Sequence, residues 1–378
     1  MPKNPSLSFI ELSKENLVHN IKQFRSLAKK GTKISVAIKG NAYGHGQNHI
    51  AKILDPYVDY FQIDSIAELE LLRKVSVKKT FLMGYVKKSE LSKALKLGCI
   101  LSVLSLMQLK ELNKIAGKLK IKQEIQIPID AYLGREGFLL SDLREVFTEI
   151  KNCSYLKLAG IYAHFANIED TRSFTHAQKQ INEYRNALDL AQEFGFFGIH
   201  THISATSGLL AYEKNEGVHT VIRLGVGVYG MWPSEDILKM YKNKITLKPA
   251  LSWKTKVAQV KILPKNHTIG YGLTYTTKKE TKIAIIPQGY ADGYDRGLSN
   301  KGEVLIGGTR CAVLGRISMN MFAVDVSHLP KVKEEDEVVI LGSQGGEEIT
   351  ALEIAKKIDT INYEVTTRIS SLLPRVVV

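Results

Sequence analysis

The sequence has few cysteines and no long apolar run, and both absences narrow what the chain can be. Its three cysteines, Cys99, Cys153 and Cys311, lie far apart, and no pair has the spacing of a metal or redox motif. No apolar run approaches the roughly 18 residues that span a membrane. The first ten residues lack the apolar core and the cleavage site of a signal peptide. We therefore expect a cytoplasmic chain with reduced cysteines, no metal site and no membrane partner.

A concentrated basic block is also missing, although the formal net charge is +14 at pH 7. The lysines are dispersed through helical stretches, which is typical of a solvated surface. The aromatic-studded basic motifs of RNA-binding modules are absent. We therefore expect no nucleic-acid partner, and salt-dependent retention on DNA would test that expectation.

The chain has 378 residues, which suits two domains. Short apolar runs recur with helical patterns between them, and Ser65 and Ser105 open two of these helices as capping boxes. Eight strand patterns that alternate with helices over about 220 residues predict a (β/α)8 TIM-type barrel. The patterns are Ile34–Ile38, Tyr60–Ile63, Thr80–Met83, Cys99–Val103, Ile125–Ile129, Leu158–Ala163, His200–Ile203 and Val221–Val228.

A different pattern begins near Leu251. From there the segments are short, β-rich and separated by glycines. We predict an α/β barrel over residues 1–240 and a mostly β C-terminal domain over residues 241–378. Residues 1–10 could pair with either domain.

Polar side chains follow the ends of several predicted strands. Lys39, Arg135, His164, Ser207 and Arg223 all lie at or shortly after a strand end. Because a TIM-type barrel has its active site at the C-terminal ends of its strands, we expect these side chains to meet on one face.

Lys39 stands where an apolar strand meets a loop with several glycines. Alone, such a lysine is more often solvated surface. A desolvated amine is favoured in the neutral form that Schiff-base chemistry needs. The stretch Asn41-Ala42-Tyr43-Gly44-His45-Gly46 after it closely resembles the pyridoxal phosphate motif of alanine racemases, PLP-dependent fold-type III amino-acid racemases. That family usually has alanine in place of Gly40. The resemblance implies that Lys39 and Tyr43 bind the cofactor.

The same resemblance assigns the cofactor phosphate to a set of late residues. Each is weak support alone, because a glycine-bearing turn is more often ordinary turn geometry. The family asparagine before the serine of this set is Thr206 here. The implied phosphate residues are Ser207, Gly225, Val226 and Tyr363.

Two further residues are implied to contact the cofactor ring. Arg223 is flanked by apolar residues, and a buried arginine with a structural carboxylate partner explains it equally well. In the family this arginine donates to the ring nitrogen, which then stays a hydrogen-bond acceptor because a guanidinium keeps its proton. His164 could be a core histidine, and by resemblance it packs against the cofactor ring.

Substrate residues are implied with one clear departure from the family. Arg135 matches the arginine that helps hold the substrate carboxylate. The lysine that the family often has seven positions earlier, sometimes carbamylated, is Pro128 here, so Arg135 must be oriented in another way. By resemblance Tyr290 is a substrate-entry or carboxylate-side residue, and Met319 donates its backbone N–H to the substrate carboxylate. The residues flanking Met319, Ser318 and Asn320, also depart from the family's usual cysteine and aspartate.

Tyr271 matches the family's second acid/base and lies 19 residues before Tyr290, a separation that chance would rarely arrange. In the family this tyrosine reaches the active site of the other subunit. The resemblance therefore implies an obligate homodimer with composite sites, in which Lys39 serves the D-side proton of alanine and Tyr271 the L-side proton.

The implied function is interconversion of L-alanine and D-alanine, supplying D-alanine for peptidoglycan. Three alternatives stay open. A PLP-dependent decarboxylase of basic amino acids shares the barrel-plus-β plan, and a broader-specificity racemase is compatible with the altered stretch 128–133. A non-enzymatic PLP carrier is the third.

Overall fold

The predicted architecture, a (β/α)8 barrel followed by a mostly β domain, is confirmed. The computed structural model describes residues 6–169, 173–213 and 219–378. The boundary between residues 240 and 241 stays a prediction. The last barrel strand ends at Leu224, and the first strand of the second domain that follows it begins at Leu251.

The barrel contains eight parallel strands in the order β8-β7-β6-β5-β4-β3-β2-β9. Its two end strands meet through backbone hydrogen bonds, from Thr220 N–H to the Thr201 carbonyl at 3.0 Å and from Arg223 N–H to the Ser204 carbonyl at 3.0 Å. The sheet therefore nearly closes. The strands are β2 Lys33–Ala37, β3 Tyr60–Ile63, β4 Thr80–Leu82, β5 Ile100–Ser102, β6 Gln123–Pro128, β7 Leu156–Tyr162, β8 His200–His202 and β9 Val221–Leu224.

Helices surround the barrel, and serine side chains cap several of them. The Ser65 hydroxyl accepts from Glu68 N–H at 3.2 Å, as its capping box predicts. The Glu68 carboxylate accepts in return from Asp64 N–H at 2.7 Å, one residue before the cap. In the part of the chain that the structure describes, the α-helices of six or more residues are α1 Lys14–Leu27, α2 Gln47–Leu54, α3 Ile66–Arg73, α4 Leu91–Leu97, α5 Leu106–Leu119, α6 Leu143–Asn152, α7 Thr175–Glu193, α8 Glu235–Tyr241, α9 Ala351–Lys357 and α10 Asn362–Thr367.

The second domain is built on a ten-stranded sheet with a small separate hairpin, β12–β13. The N-terminal strand β1, Phe9–Leu12, lies inside this sheet, antiparallel to β10 and parallel to β20. The chain thus passes through the C-terminal sheet before it enters the barrel. The remaining strands are β10 Leu251–Lys256, β11 Gln259–Leu263, β12 Thr268–Ile269, β13 Tyr275–Thr276, β14 Thr281–Ile286, β15 Glu303–Ile306, β16 Thr309–Leu314, β17 Phe322–Asp325, β18 Glu337–Gln344, β19 Glu347–Ile349 and β20 Arg375–Val377.

Two C-terminal features hold the second domain against the face of the barrel that carries the strand ends. Helix α10 packs on the Lys39 turn, and the Asn362 amide donates to the Trp232 carbonyl at 2.8 Å. Arg375, in β20, donates to the Gly44 carbonyl at 2.7 Å. Within the described residues, no helix has the length and apolar character needed to cross a membrane.

Candidate active site

A cavity of about 210 Å³ opens at the C-terminal ends of the barrel strands. Nine of the residues singled out from the sequence line it, although they come from separate strands and from the second domain. The strand-end rule therefore gathers them as expected. These nine are Lys39, Tyr43, Arg135, His164, Ser207, Arg223, Gly225, Val226 and Tyr363.

Lys39 begins a left-handed turn at the mouth of this cavity. The four residues after it, Gly40 to Tyr43, all have φ between +52° and +60°. Such a conformation costs roughly 1–2 kcal/mol for each residue other than glycine, so the surrounding contacts must hold it. The Glu68 carboxylate accepts from Gly40 N–H at 2.8 Å, and the Asn41 side chain accepts from Gln47 N–H at 3.0 Å.

The Lys39 ammonium forms an ion pair with Asp64 at 3.6 Å, and 43% of the lysine side chain is exposed. The amine is therefore partly exposed and not desolvated as its place at a strand end predicts. Asp64 follows β3 directly, so the strand-end rule could have found it from the sequence.

Arg223 is buried, and the structure describes no carboxylate partner for it. Its guanidinium donates instead to the Ile203 carbonyl at 3.0 Å and to the Ala163 carbonyl, and it lies 5.1 Å from the Tyr162 ring centroid. Its Nε has no hydrogen-bond partner among the described residues. Burial lowers the pKa of Arg223 to about 10, so the group remains a cation at neutral pH. A buried cation with an unused donor suits an acceptor atom of a bound molecule.

His164 is neutral at physiological pH. Burial, with Arg223, Arg135 and Lys39 nearby, lowers its pKa to about 3. Its Nδ1 has no partner among the described residues. His164 can therefore pack against a ring or pass a hydrogen bond, but it does not itself carry charge.

The expected phosphate residues surround the end of the cavity near β8 and β9. Burial raises the pKa of Tyr43 to about 12, with a smaller contribution from Asp64, so its hydroxyl stays a donor. A Cβ added to Gly225 would lie 3.2 Å from that hydroxyl, a tight contact that glycine avoids. Thr206, which replaces the family asparagine, accepts from Gly225 N–H at 3.2 Å through its buried hydroxyl.

Ser207 donates its hydroxyl to Glu169 at 2.7 Å. Burial, with Glu169 and Tyr43 nearby, raises the pKa of Tyr363, so this phenol also stays protonated. The cavity therefore has the Tyr43 and Tyr363 hydroxyls at one end, beside the Glu169 carboxylate that accepts from Ser207, and the Arg223 cation elsewhere in its wall. Such a set fits a ligand with an anionic group and an acceptor nitrogen.

Arg135 lies on the loop after β6 and pairs with its neighbour Glu136. Its Nη2 donates to Glu136 Oε1 at 2.8 Å, and its Nε donates to Oε2. Pro128 is buried at the end of β6 and supplies no charge. Sequence reasoning missed Glu136, although it directly follows Arg135, and it also missed Glu169.

Tyr271, Tyr290 and Met319 do not line the cavity of their own chain. All three are exposed on the second domain, at 72%, 44% and 55%. Their loops adjoin, because Tyr290 N–H donates to the Ser318 carbonyl at 3.2 Å, and a Cβ at the residue before Tyr271 would lie 3.0 Å from the Arg316 nitrogen. They form one exposed face.

A second, largely apolar cavity of about 270 Å³ lies between the domains. None of the candidate site residues lines it. The described residues contain no group of His, Cys, Asp or Glu suited to a metal ion.

Family models match nearly the whole chain. The model of the alanine racemase N-terminal domain matches residues 12–233, and that of the C-terminal domain matches residues 250–377. An alanine racemase of Leptospira interrogans (strain Fiocruz L1-130) is 34% identical over 388 residues, covering 100% of this chain and 97% of the relative. Alanine racemase 2 of Caldanaerobacter subterraneus is 35% identical over 370 residues, covering 97% and 94%.

Solved structures agree with these matches. An alanine racemase of Clostridium difficile 630 superposes with a TM-score of 0.92 at 32% identity, covering 100% of this chain and 97% of that one. A Bacillus anthracis alanine racemase with bound L-Ala-P superposes with a TM-score of 0.92 at 29% identity, covering 100% and 96%.

Proposed function

The chain is an isomerase of the alanine racemase family, and from this membership we propose that it interconverts L-alanine and D-alanine with two bases, Lys39 and Tyr271 of the partner subunit. The observation that carries the proposal is the gathering of nine expected residues around one cavity at the strand ends. A lysine on a strained turn, facing donors and a buried arginine, is a suitable centre for this chemistry.

The family depends on pyridoxal 5'-phosphate, and the cavity residues fit that cofactor. The unpartnered Arg223 Nε would donate to the ring nitrogen, and His164 would pack against the ring. Donors from Tyr43, Tyr363 and the loops of Ser207, Gly225 and Val226 would hold the phosphate. When bound, the cofactor supplies an electron-withdrawing ring that makes the α-proton of the amino acid more acidic.

Racemisation needs bases on opposite faces of the substrate. Lys39 serves the D-side proton, and its ion pair with Asp64 at 3.6 Å is a contact that keeps the amine at the cavity. A tyrosine in water has a pKa of about 10 and is a poor base at neutral pH. The Arg223 and Arg135 cations line the cavity and would support proton transfer at the hydroxyl of Tyr271 from the partner subunit.

The proposed assembly is a homodimer with composite sites. Tyr271 is 72% exposed and does not line the strand-end cavity of its own chain, so its acid/base role needs a second chain. Tyr290 and Met319 share that face and would complete the carboxylate side of the partner's site, opposite Arg135. A two-fold symmetric dimer would join each barrel to the other chain's second domain.

The proposed role is to supply D-alanine for peptidoglycan in the cytoplasm. The proposed activity is tested by an absorbance spectrum for bound pyridoxal phosphate, followed by racemisation assays with alanine, serine and lysine on the same sample. Alanine should racemise fastest. A faster reaction with lysine would instead support a broader-specificity racemase, release of carbon dioxide would support a decarboxylase, and bound cofactor without turnover would contradict enzymatic function.

A further inference from the structure

Arg135 needs an orienting partner, and the strand before it supplies none. A guanidinium on a loop loses several rotamers when it binds a carboxylate, so an unheld arginine binds weakly. Pro128 has no side-chain charge, and its carbonyl is already taken by Phe138 N–H at 2.9 Å. Resting on the proposed function, we propose that Glu136 is a positioning residue that holds Arg135 for the substrate carboxylate.

The pairing geometry leaves the useful edge of the arginine free. The two Glu136 oxygens accept from Nε and from Nη2 of Arg135, the latter at 2.8 Å. They therefore form a bidentate pair with one side of the guanidinium. A guanidinium has five N–H donors in a fixed plane. Three remain, two on Nη1 and one on Nη2, and they form a second fork that fits a carboxylate. One carboxylate in the chain and one on the substrate can therefore share Arg135.

The backbone around Glu136 is fixed, which an orienting group requires. The Asp130 side chain accepts from Gly134 N–H at 2.9 Å, and Asp130 N–H donates to the Phe138 carbonyl at 3.0 Å. Gly137 has φ +128°, and a Cβ there would lie 2.5 Å from the Asp130 nitrogen. The loop closes on itself at both ends of the Arg135–Glu136 pair.

The charges around Glu136 keep it ionised. Burial acts to raise the pKa of Glu136, but the hydrogen bond from Arg135, a hydrogen bond from its own backbone N–H and the charge of Arg135 lower it below its usual value. Both members of the pair line the cavity, and the Glu136 side chain is the less exposed of the two. The Glu136 carboxylate is thus an ionised group beside Arg135. Among the described residues it forms no other ion pair.

The test compares Glu136→Gln with the matched control Glu193→Gln, which breaks the exposed Arg144–Glu193 pair on the outside of the barrel. The measurements are KM and kcat for both alanine enantiomers, and the dissociation constant of propionate from a spectral titration of the cofactor-loaded protein. Propionate has the carboxylate of alanine but no amine. We expect KM and the propionate constant to rise about tenfold in Glu136→Gln, with kcat within about threefold of wild type.

The control variant should match wild type in every measurement. A propionate constant within twofold of wild type in Glu136→Gln would overturn the proposal, as would a kcat loss with propionate binding unchanged. If Glu136→Gln does not fold, Glu136→Asp, which withdraws the carboxylate by one methylene, provides the same comparison. Absence of alanine racemisation by wild type would instead contradict the proposed function, and the propionate titration would still judge Glu136.

Discussion

Replacing Arg375 with methionine should weaken both the fold and the Lys39 turn. The Arg375 guanidinium donates to the carbonyls of Gly44 at 2.7 Å, Ser370 at 2.6 Å and Leu373 at 2.5 Å. Methionine keeps much of the apolar stem but no donor. Each carbonyl that loses its donor lowers the free energy of unfolding by at least about 1 kcal/mol. Partial access of these carbonyls to water keeps each loss near that lower bound. We expect a loss of about 3 kcal/mol and a melting temperature lower by about 4 °C.

The assay pairs thermal unfolding with the visible absorbance of bound cofactor. Because the Gly44 carbonyl ends the turn that carries Lys39, cofactor occupancy should fall along with stability. Arg144→Met is the control, since Arg144 makes an exposed ion pair with Glu193 at 3.2 Å that contributes less than about 1 kcal/mol. Arg375→Met unfolding within 1 °C of wild type would refute the reasoning, and lower stability with full occupancy would refute the link to the turn.

Three other outcomes are expected. Lys39→Ala should abolish the absorbance of covalently bound cofactor, and a chromophore of normal intensity would rule out that lysine. Tyr271→Phe should selectively slow isotope exchange of the α-proton from L-alanine, whereas equal exchange losses on both faces would argue against its assignment to one face. Burial, partly offset by hydrogen bonds to the Tyr43 and Ala42 carbonyls, lowers the pKa of His45 from 6.5 to about 4. Between pH 4 and pH 6.5 the His45 imidazole is therefore protonated in the unfolded chain but not in the folded one. The free energy of unfolding should fall by about 3 kcal/mol as the pH drops from 6.5 to 4. His45→Asn should flatten this decline in melting curves, and an unchanged slope would contradict it.

The spacing of apolar residues, and the polar residues and glycines that end each apolar run, predicted the barrel well. Each parallel strand is a short apolar run followed by a polar residue at its end. The same rule located Lys39, His164 and Arg223 around one cavity. It could not predict the left-handed turn at Gly40 to Tyr43, because contacts from Glu68 and Arg375, distant in sequence, hold that conformation. Strand patterns report local burial and not such long-range contacts.

The partners of the charged side chains were also beyond the sequence pattern. A carboxylate partner for Arg223 was as plausible as a ligand contact, and the structure describes only carbonyl acceptors for it. The sequence pattern around Glu136 is that of an ordinary loop residue. Only the conformation of the folded loop brings its carboxylate to Arg135. Which residues pair depends on side-chain direction, and neither composition nor spacing records that.

The central claim is that each active site combines Lys39 from one chain with Tyr271 from another. The most direct measurement mixes two variants that each lack one of the two bases, Lys39→Ala and Tyr271→Phe, under conditions that let subunits exchange. Random pairing makes half of the dimers mixed, and each mixed dimer has one site with both bases intact. Activity should therefore return to about a quarter of the wild-type value. If both bases of a site come from the same chain, mixing will restore nothing.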